Sequence, residues 1–429
     1  MHGLHGLHAD VHVHVDRRPA AAGTIPPGSV PAARAARALA KRASGTKVRR
    51  FRGPRPGAIG VPPHVTEIPS RAAGDPLVIS VDVMGGDHGP PVFVAGVALA
   101  VRRLRGRPVR FMLHGDEAAI RPELARRTLA DHVCEVRHAD KVIAADEKPA
   151  QALRRGKGSS LWNAVEAVKS GGAQAAVSGG NTGALMAVSK LQLRTLGEID
   201  RPAIVASWPT LKGVTAVLDV GANIDCDAPM LVQFAILGEA FHCAVHGGRN
   251  ADGSACRSSI GILNVGSEDV KGHEEVREAH RLLRESRLEL DYRGFVEGND
   301  IAKGTVDVVI TDGFTGNVAL KTAEGMARFF ATTLKGTLTS SPLATAGAAI
   351  ASGALGRMRA RLDPSSVNGG PLLGLRGTVV KSHGGADAAG VANALVVAAD
   401  LAGSDYLRQI ERNLQAFSAA AAAPAETAA

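Results

Sequence analysis

The chain has 429 residues, 45% of them hydrophobic and 3% aromatic, with 50 Lys and Arg against 41 Asp and Glu and a formal net charge of +9. That balance points toward anionic partners, yet residues 1–75 hold 12 of the bases against four acids, leaving 38 bases and 37 acids in the rest. The excess belongs to a leader, the body is close to neutral, and so few aromatics exclude a stacking platform for single-stranded nucleic acid.

The leader opens on His2, His5, His8, His12 and His14 and continues through Pro, Ala, Gly and Arg without hydrophobic periodicity. It is expected to be disordered, with at most adventitious metal binding, because no second ligand group closes a site. An Arg-rich, acid-poor leader also fits a transit peptide or an over-extended start. No early apolar core of a secretory signal is present, so a cytoplasmic protein is expected. Cys134, Cys226, Cys243 and Cys256 form no CxxC pair, which predicts neither a disulfide scaffold nor a zinc ribbon. The charge-free stretch Gly336–Gly356 is too rich in Gly, Ser and Thr to span a bilayer.

Beyond the leader, short β-branched runs predict buried strands at Leu77–Val83, Val109–Leu113, Ala175–Ser178, Ala203–Ala206, Ala216–Val220, Ile260–Val265 and Val306–Thr311. Stretches of helical period fall between several of them, at Ser160–Lys169, Leu231–Phe241, Glu274–Leu283 and Val318–Phe330. This alternation predicts a three-layer α/β/α sandwich with a mostly parallel central sheet. One domain is expected over 76–414, followed by an Ala-rich disordered tail over 415–429.

Five predicted strands run into glycine mixed with Asp, Asn, Ser or Thr: Asp82–Asp87, Ser178–Gly183, Asp219–Asn223, Asn264–Asp269 and Asp312–Asn317. In an open parallel sheet such loops share the carboxyl edge, where ligands bind. One such loop reads as a tight turn, but five carrying amides and carboxylates read as an anion site. No GxGxxG follows a strand, and GxxxxGK[ST] and GxSxG are absent, so neither nucleotide binding nor a serine acyl-enzyme is suggested. No cofactor or metal is expected.

The blocks "ISVDVMGGDHGP", "SGGNTGALMAVSK", "LDVGANIDCDAP", "IGILNVGSEDVKGHE", "VITDGFTGNVALK" and "VVKSHGGADAAG" resemble the PlsX family, phosphate acyltransferases of bacterial phospholipid synthesis, in order from about Leu77 to Leu401. The resemblance implies transfer of a long-chain acyl group from acyl carrier protein to inorganic phosphate. It implies catalytic roles for Lys271 and for Asn317, which could also cap a helix. It places Gly85, Gly86, Asp87, Gly180, Asn181, Thr182, Gly183, Gly221, Asn223, Gly313, Gly316 and His383 at the substrate or phosphate; for His383 a structural role is an equal alternative. It further implies a helical hairpin over 333–364 for dimerisation and membrane-surface contact, and a membrane glycerol-3-phosphate acyltransferase downstream. Here the hairpin is rich in Ala, Gly and Thr beside Arg357, Arg359 and Arg361, so membrane contact should be weak and reversible.

An acidic carrier protein needs a basic patch. Arg102, Arg103, Arg105, Arg107 and Arg110 offer one, and Arg154, Arg155 and Lys157 another. Two other functions are compatible with the residues. One is a short-chain phosphate acyltransferase using acyl-coenzyme A. The other is a silent binder of membrane or nucleic acid driven by the leader, against which the intact glycine loops argue.

Overall fold

A computed structural model describes residues 75–422 except 198, 248–255, 287 and 363; the leader through residue 74 and the last seven residues lie outside it. The strands are β1 Leu77–Asp82, β2 Val109–Gly115, β3 Cys134–His138, β4 Ala175–Ser178, β5 Ala203–Pro209, β6 Val214–Leu218, β7 Ser259–Leu263, β8 Asp291–Val296, β9 Val308–Ile310, β10 Gly370–Leu373 and β11 Thr378–Lys381. The helices are α1 Gly89–Arg103, α2 Glu117–Arg126, α3 Pro149–Arg155, α4 Ser160–Lys169, α5 Thr182–Leu193, α6 Ala228–His242, α7 Glu274–Glu285, α8 Gly298–Lys303, α9 Gly313–Leu338, α10 Pro342–Ile350, α11 Ser352–Leu362, α12 Ala388–Gly403 and α13 Tyr406–Ala422.

All eleven strands form one sheet in the order β3-β2-β1-β4-β11-β10-β5-β6-β9-β7-β8. Alternate residues of β1 face opposite layers. Ile79 and Val81 join a core with Phe93 and Val97 of α1 and Leu395 of α12, whereas Val78 packs into a second core with Leu161 and Val165 of α4 and Leu185 of α5. The expected α/β/α layering is therefore present. Helix α6 is long and apolar enough to cross a membrane together with the π turn Cys243–Gly247, but most of it is buried. Phe234 and Phe241 are wholly enclosed, so α6 is a core helix, and truncating either ring to Ala should cost about 3–5 kcal/mol.

The expectation of one shared carboxyl edge is corrected by strand direction. β3, β2, β1, β4 and β11 run parallel, and so do β6, β9, β7 and β8, but β10 is antiparallel to both β11 and β5, and β5 to β6. Three reversals separate the two parallel blocks, so their carboxyl ends point oppositely along the ladder. Two smaller differences also follow. Helix α13 runs eight residues past Leu414, because alanine is the best helix former and Phe417 packs on the core. Cys243 and Cys256, distant in sequence pattern from any CxxC, meet as a disulfide between the end of α6 and the approach to β7.

Candidate active site

The first cluster lies at the carboxyl ends of β6, β9 and β7. Asp219, wholly buried, organises it. Its Oδ1 accepts the backbone N–H groups of Ile204, Gly221 and Ala222 at 3.0, 3.2 and 3.1 Å, and its Oδ2 accepts the main-chain and side-chain N–H of Asn223 at 2.6 and 2.9 Å. Burial raises this carboxyl above its ordinary range while the N–H groups lower it. With both oxygens accepting, the ionised form fits the geometry.

Asn223 spends its other side-chain N–H on the Pro202 carbonyl at 2.9 Å, and its own carbonyl accepts from Gly313 N at 2.7 Å. It is 2% exposed. Both of its side-chain N–H groups are thus spent within the fold. Gly313 and Gly316 are required sterically: a Cβ at 313 would sit 2.5 Å from the Asn223 carbonyl oxygen, and one at 316 would collide with the Asp219 carbonyl. These contacts seat the first turn of α9 directly on the Asp219 turn.

That turn is capped by Asp312, which accepts from Thr315 N at 2.8 Å. Asn317 therefore does not cap the helix. It stands one turn in, exposed, with its Cβ and Cγ 3.6 Å from the position a Gly221 side chain would take, and without a hydrogen-bond partner among the described residues. Its amide is free to donate. Lys271 lies in the loop between β7 and α7, folds across Gly266 and pairs with Glu268 at 2.8 Å while 48% exposed. A surface pair of this kind contributes roughly 0–1 kcal/mol, so a bound anion can compete for the ammonium.

The second cluster lies at the carboxyl ends of β1, β4 and β11. Asp82, 1% exposed, accepts from Ser178 Oγ at 2.6 Å and Gly85 N at 3.2 Å. Burial raises its pKa, opposed by the Ser178 and Ser160 hydroxyls and by the Gly85 and Met84 amides. Gly86, at φ +87°, turns the chain so that Asp87 N reaches the Gly384 carbonyl at 2.9 Å. Gly180 N bonds Ser178 Oγ at 3.0 Å.

Asn181 caps α5 by accepting from Ala184 N at 2.9 Å and donates to the carbonyls of Ala145 and Glu147 at 2.6 and 3.1 Å. Its side-chain donors are thus spent, as for Asn223. Thr182 and Gly183 form the first turn of the same helix. His383 accepts Gly385 N at Nδ1, 3.1 Å away, which makes it a loop-holding residue. Sequence reasoning passed over Lys381, the last residue of β11. Its ammonium bonds the carbonyls of Gly179, at 3.0 Å, and Ser382, and the only signal was a lysine closing the β-branched run Thr378–Val380.

Two free thiols are described. Burial pushes both Cys134 and Cys226 up to about 12, so neither is a thiolate at neutral pH. The arrangement offers N–H donors, an ammonium pair and exposed glycine turns: it can hold an external oxyanion and stabilise charge.

The fold is shared with a phosphotransacetylase from Streptococcus pyogenes, at a TM-score of 0.50 and 18% identity over 77% of this chain and 94% of that one. The family described as fatty acid synthesis protein matches residues 77–409. A phosphate acyltransferase of Caulobacter vibrioides is 67% identical over 347 residues, 81% of this chain and 94% of the relative. One of Phenylobacterium zucineum is 57% identical over 357 residues, 82% and 99% of the two chains. The chain belongs to this family, and it is an acyltransferase.

Proposed function

We propose that this acyltransferase moves a long-chain acyl group from acyl carrier protein to inorganic phosphate. A phosphate oxygen attacks the thioester carbonyl carbon. The carbon–sulfur bond then breaks, the sulfur leaves with the electron pair as thiolate and takes a proton from solvent, and acyl phosphate is formed. The observation that carries this reading is the unpartnered Asn317 amide held against the Gly221 turn with Lys271 in the neighbouring loop, donors suited to the oxyanion or the phosphate.

Native twist supports a joint role for the two clusters. At roughly 20–25° per step, the six steps from β1 to β9 turn the strand axes by about 120–150°. A rotation of that size would turn blocks that are antiparallel along the ladder toward a common side, which is the ground for assigning both sets of glycine loops to one pair of substrates.

Both basic clusters are exposed, and in the first Arg107 is tied to Asp400; the second, Arg154, Arg155 and Lys157, is the one that adjoins a cavity. Arg155 and Lys141 line a cavity of about 350 Å³ that also includes Glu147, whose carbonyl Asn181 holds. This is the face we assign to the acidic carrier protein. Charge reversal at Arg154 and Arg155 should raise the carrier-protein KM and flatten its salt dependence. A variant with unchanged KM would remove the assignment.

Beyond its first turn α9 leaves the core, and Met326, Phe329, Phe330, Leu343 and Ile350 of the α9–α10 arm are exposed. An apolar arm of this extent fits burial against a second copy, with weak contact to a membrane carrying the downstream glycerol-3-phosphate acyltransferase. Flotation with anionic liposomes and sedimentation of the L343D/I350D protein separate these roles. Turnover with acyl carrier protein but not with acyl-coenzyme A supports the reading; the reverse preference would make this a short-chain coenzyme A-dependent enzyme.

A further inference from the structure

At the carboxyl ends of five adjacent parallel strands one register runs across the sheet: Lys381 beside Ser178, Ser178 beside Asp82, Asp82 beside His114 and His114 beside Arg137, the last two one residue short of their strand ends. Partners in a parallel ladder share a face, so these polar groups form a row on the α4 side of the sheet. The row is not internally satisfied. His114 is 5% exposed, yet among the described residues neither ring nitrogen has a partner, and Ser80 Oγ, two residues before Asp82 on the same face, is also unpaired there. Burial lowers the His114 pKa to about 4, so the ring is neutral. Buried polar groups left open at a loop junction need a ligand or water to complete them.

Lys381 occupies the point where three glycine loops meet. Its ammonium binds the loops at Gly179 and Ser382, and Asp87 N ties the first loop to Gly384. A Cβ at Gly85 would lie 2.5 Å from Asp82 Oδ2, and one at Gly86 would lie 2.9 Å from the Gly384 carbonyl. The junction is thus packed by backbone around a half-buried cation. An ammonium has three N–H donors, and two are committed here.

We propose that Lys381 is a substrate-contacting residue of this enzyme, giving its remaining N–H to a phosphate oxygen held by the Gly85–Gly86, Gly179–Gly180 and Gly384–Gly385 loops. This rests on the proposed phosphate chemistry and adds to it a second charged residue away from Lys271. The oxygen belongs either to free phosphate or to the phosphodiester of a pantetheine arm. The charged and titratable groups around Lys381 are the carboxylates of Asp82 and Asp87 and, two residues on in its own loop, the imidazole of His383. Burial lowers the Lys381 pKa to about 8, with both carboxylates opposing. Its charge is therefore present at pH 7 and lost as the pH rises through 8, and anion binding should weaken over the same interval.

Equilibrium binding of inorganic phosphate to the full chain, by calorimetry at pH 7 and pH 9, tests this apart from catalysis. Wild-type binding should weaken from pH 7 to 9, Lys381→Ala should lose about ten- to a hundredfold at pH 7, and Lys381→Arg should bind equally at both. A folded Lys381→Ala protein binding within about threefold of wild type would overturn the proposal, provided its donor KM is also unchanged. Should that variant fail to fold, a Lys381→Arg protein with the wild-type alkaline loss overturns it instead. An elevated donor KM with an unchanged phosphate KM identifies the pantetheine phosphodiester; the converse identifies free phosphate. Phosphate binding that depends on Lys381 without acyl phosphate formation would contradict the acyl-transfer reading alone.

Discussion

Replacing Asp219 by Asn tests the turn on which the first cluster is built. The five N–H groups on its carboxylate divide three to one oxygen and two to the other. An amide keeps one acceptor, so its NH₂ must face two or three donors whichever way it is flipped. Each buried donor left unsatisfied costs about 1–3 kcal/mol, or roughly 2–6 kcal/mol for two of them. For a domain of this size that lowers Tm by about 3–8 °C. Differential scanning calorimetry measures the shift, and kcat/KM measured below the transition should fall as well, because Gly221 and the first turn of α9 are placed by the same bonds. An Asp219→Asn protein melting within about 2 °C of wild type would refute the reasoning: it would mean that the carboxyl is protonated in the fold and an amide mimics it.

Lys271→Ala and Asn317→Ala should each lose about 10²–10³ in kcat with unchanged Tm, since both side chains are exposed; steady-state kinetics beside a melting curve checks both halves. Gly316→Ala should cost about 1–3 kcal/mol by overpacking and reduce turnover by displacing Asn317, because its Cβ meets backbone rather than a movable side chain. Glu239, 4% exposed and bonded to Gln409 at 2.9 Å, is pushed up to about 7 by burial. A carboxyl raised in the folded state binds its proton more tightly there, so its contribution is fully present below the ordinary pKa near 4.5 and is lost as pH rises toward 7. Glu239→Gln should thus stabilise the protein by about 3 kcal/mol at pH 8 and change little at pH 4.5; urea titrations at both pH values decide it.

Much of this was legible in the sequence where one cause dominated. Strand β4 and helix α4 begin and end at the predicted residues, Ala175–Ser178 and Ser160–Lys169, because an apolar run and a Ser159 cap leave little choice. Strand direction was not legible. The β10–β11 pair is buried on both faces, so it shows no alternation by which an antiparallel hairpin differs from a parallel strand. The structural roles of Asn181 and Asn223 were not legible for a chemical reason: the amide that could hold phosphate is the same group that caps a helix or ties a turn. Lys381 was missed because a lone lysine after three β-branched residues carries no spacing signal. Its environment comes from loops almost 300 residues away along the chain, beginning at Gly85.

The central claim is that phosphate itself attacks the acyl thioester at the Asn317–Lys271 cluster. The direct measurement is single-turnover reaction of long-chain acyl carrier protein with ³²P-phosphate, wild type beside Asn317→Ala. The account predicts stoichiometric ³²P-labelled acyl phosphate, saturable in phosphate, and a rate lower by about 10²–10³ in the variant. An acylated protein that forms without phosphate, or equal rates in the two proteins, would contradict it.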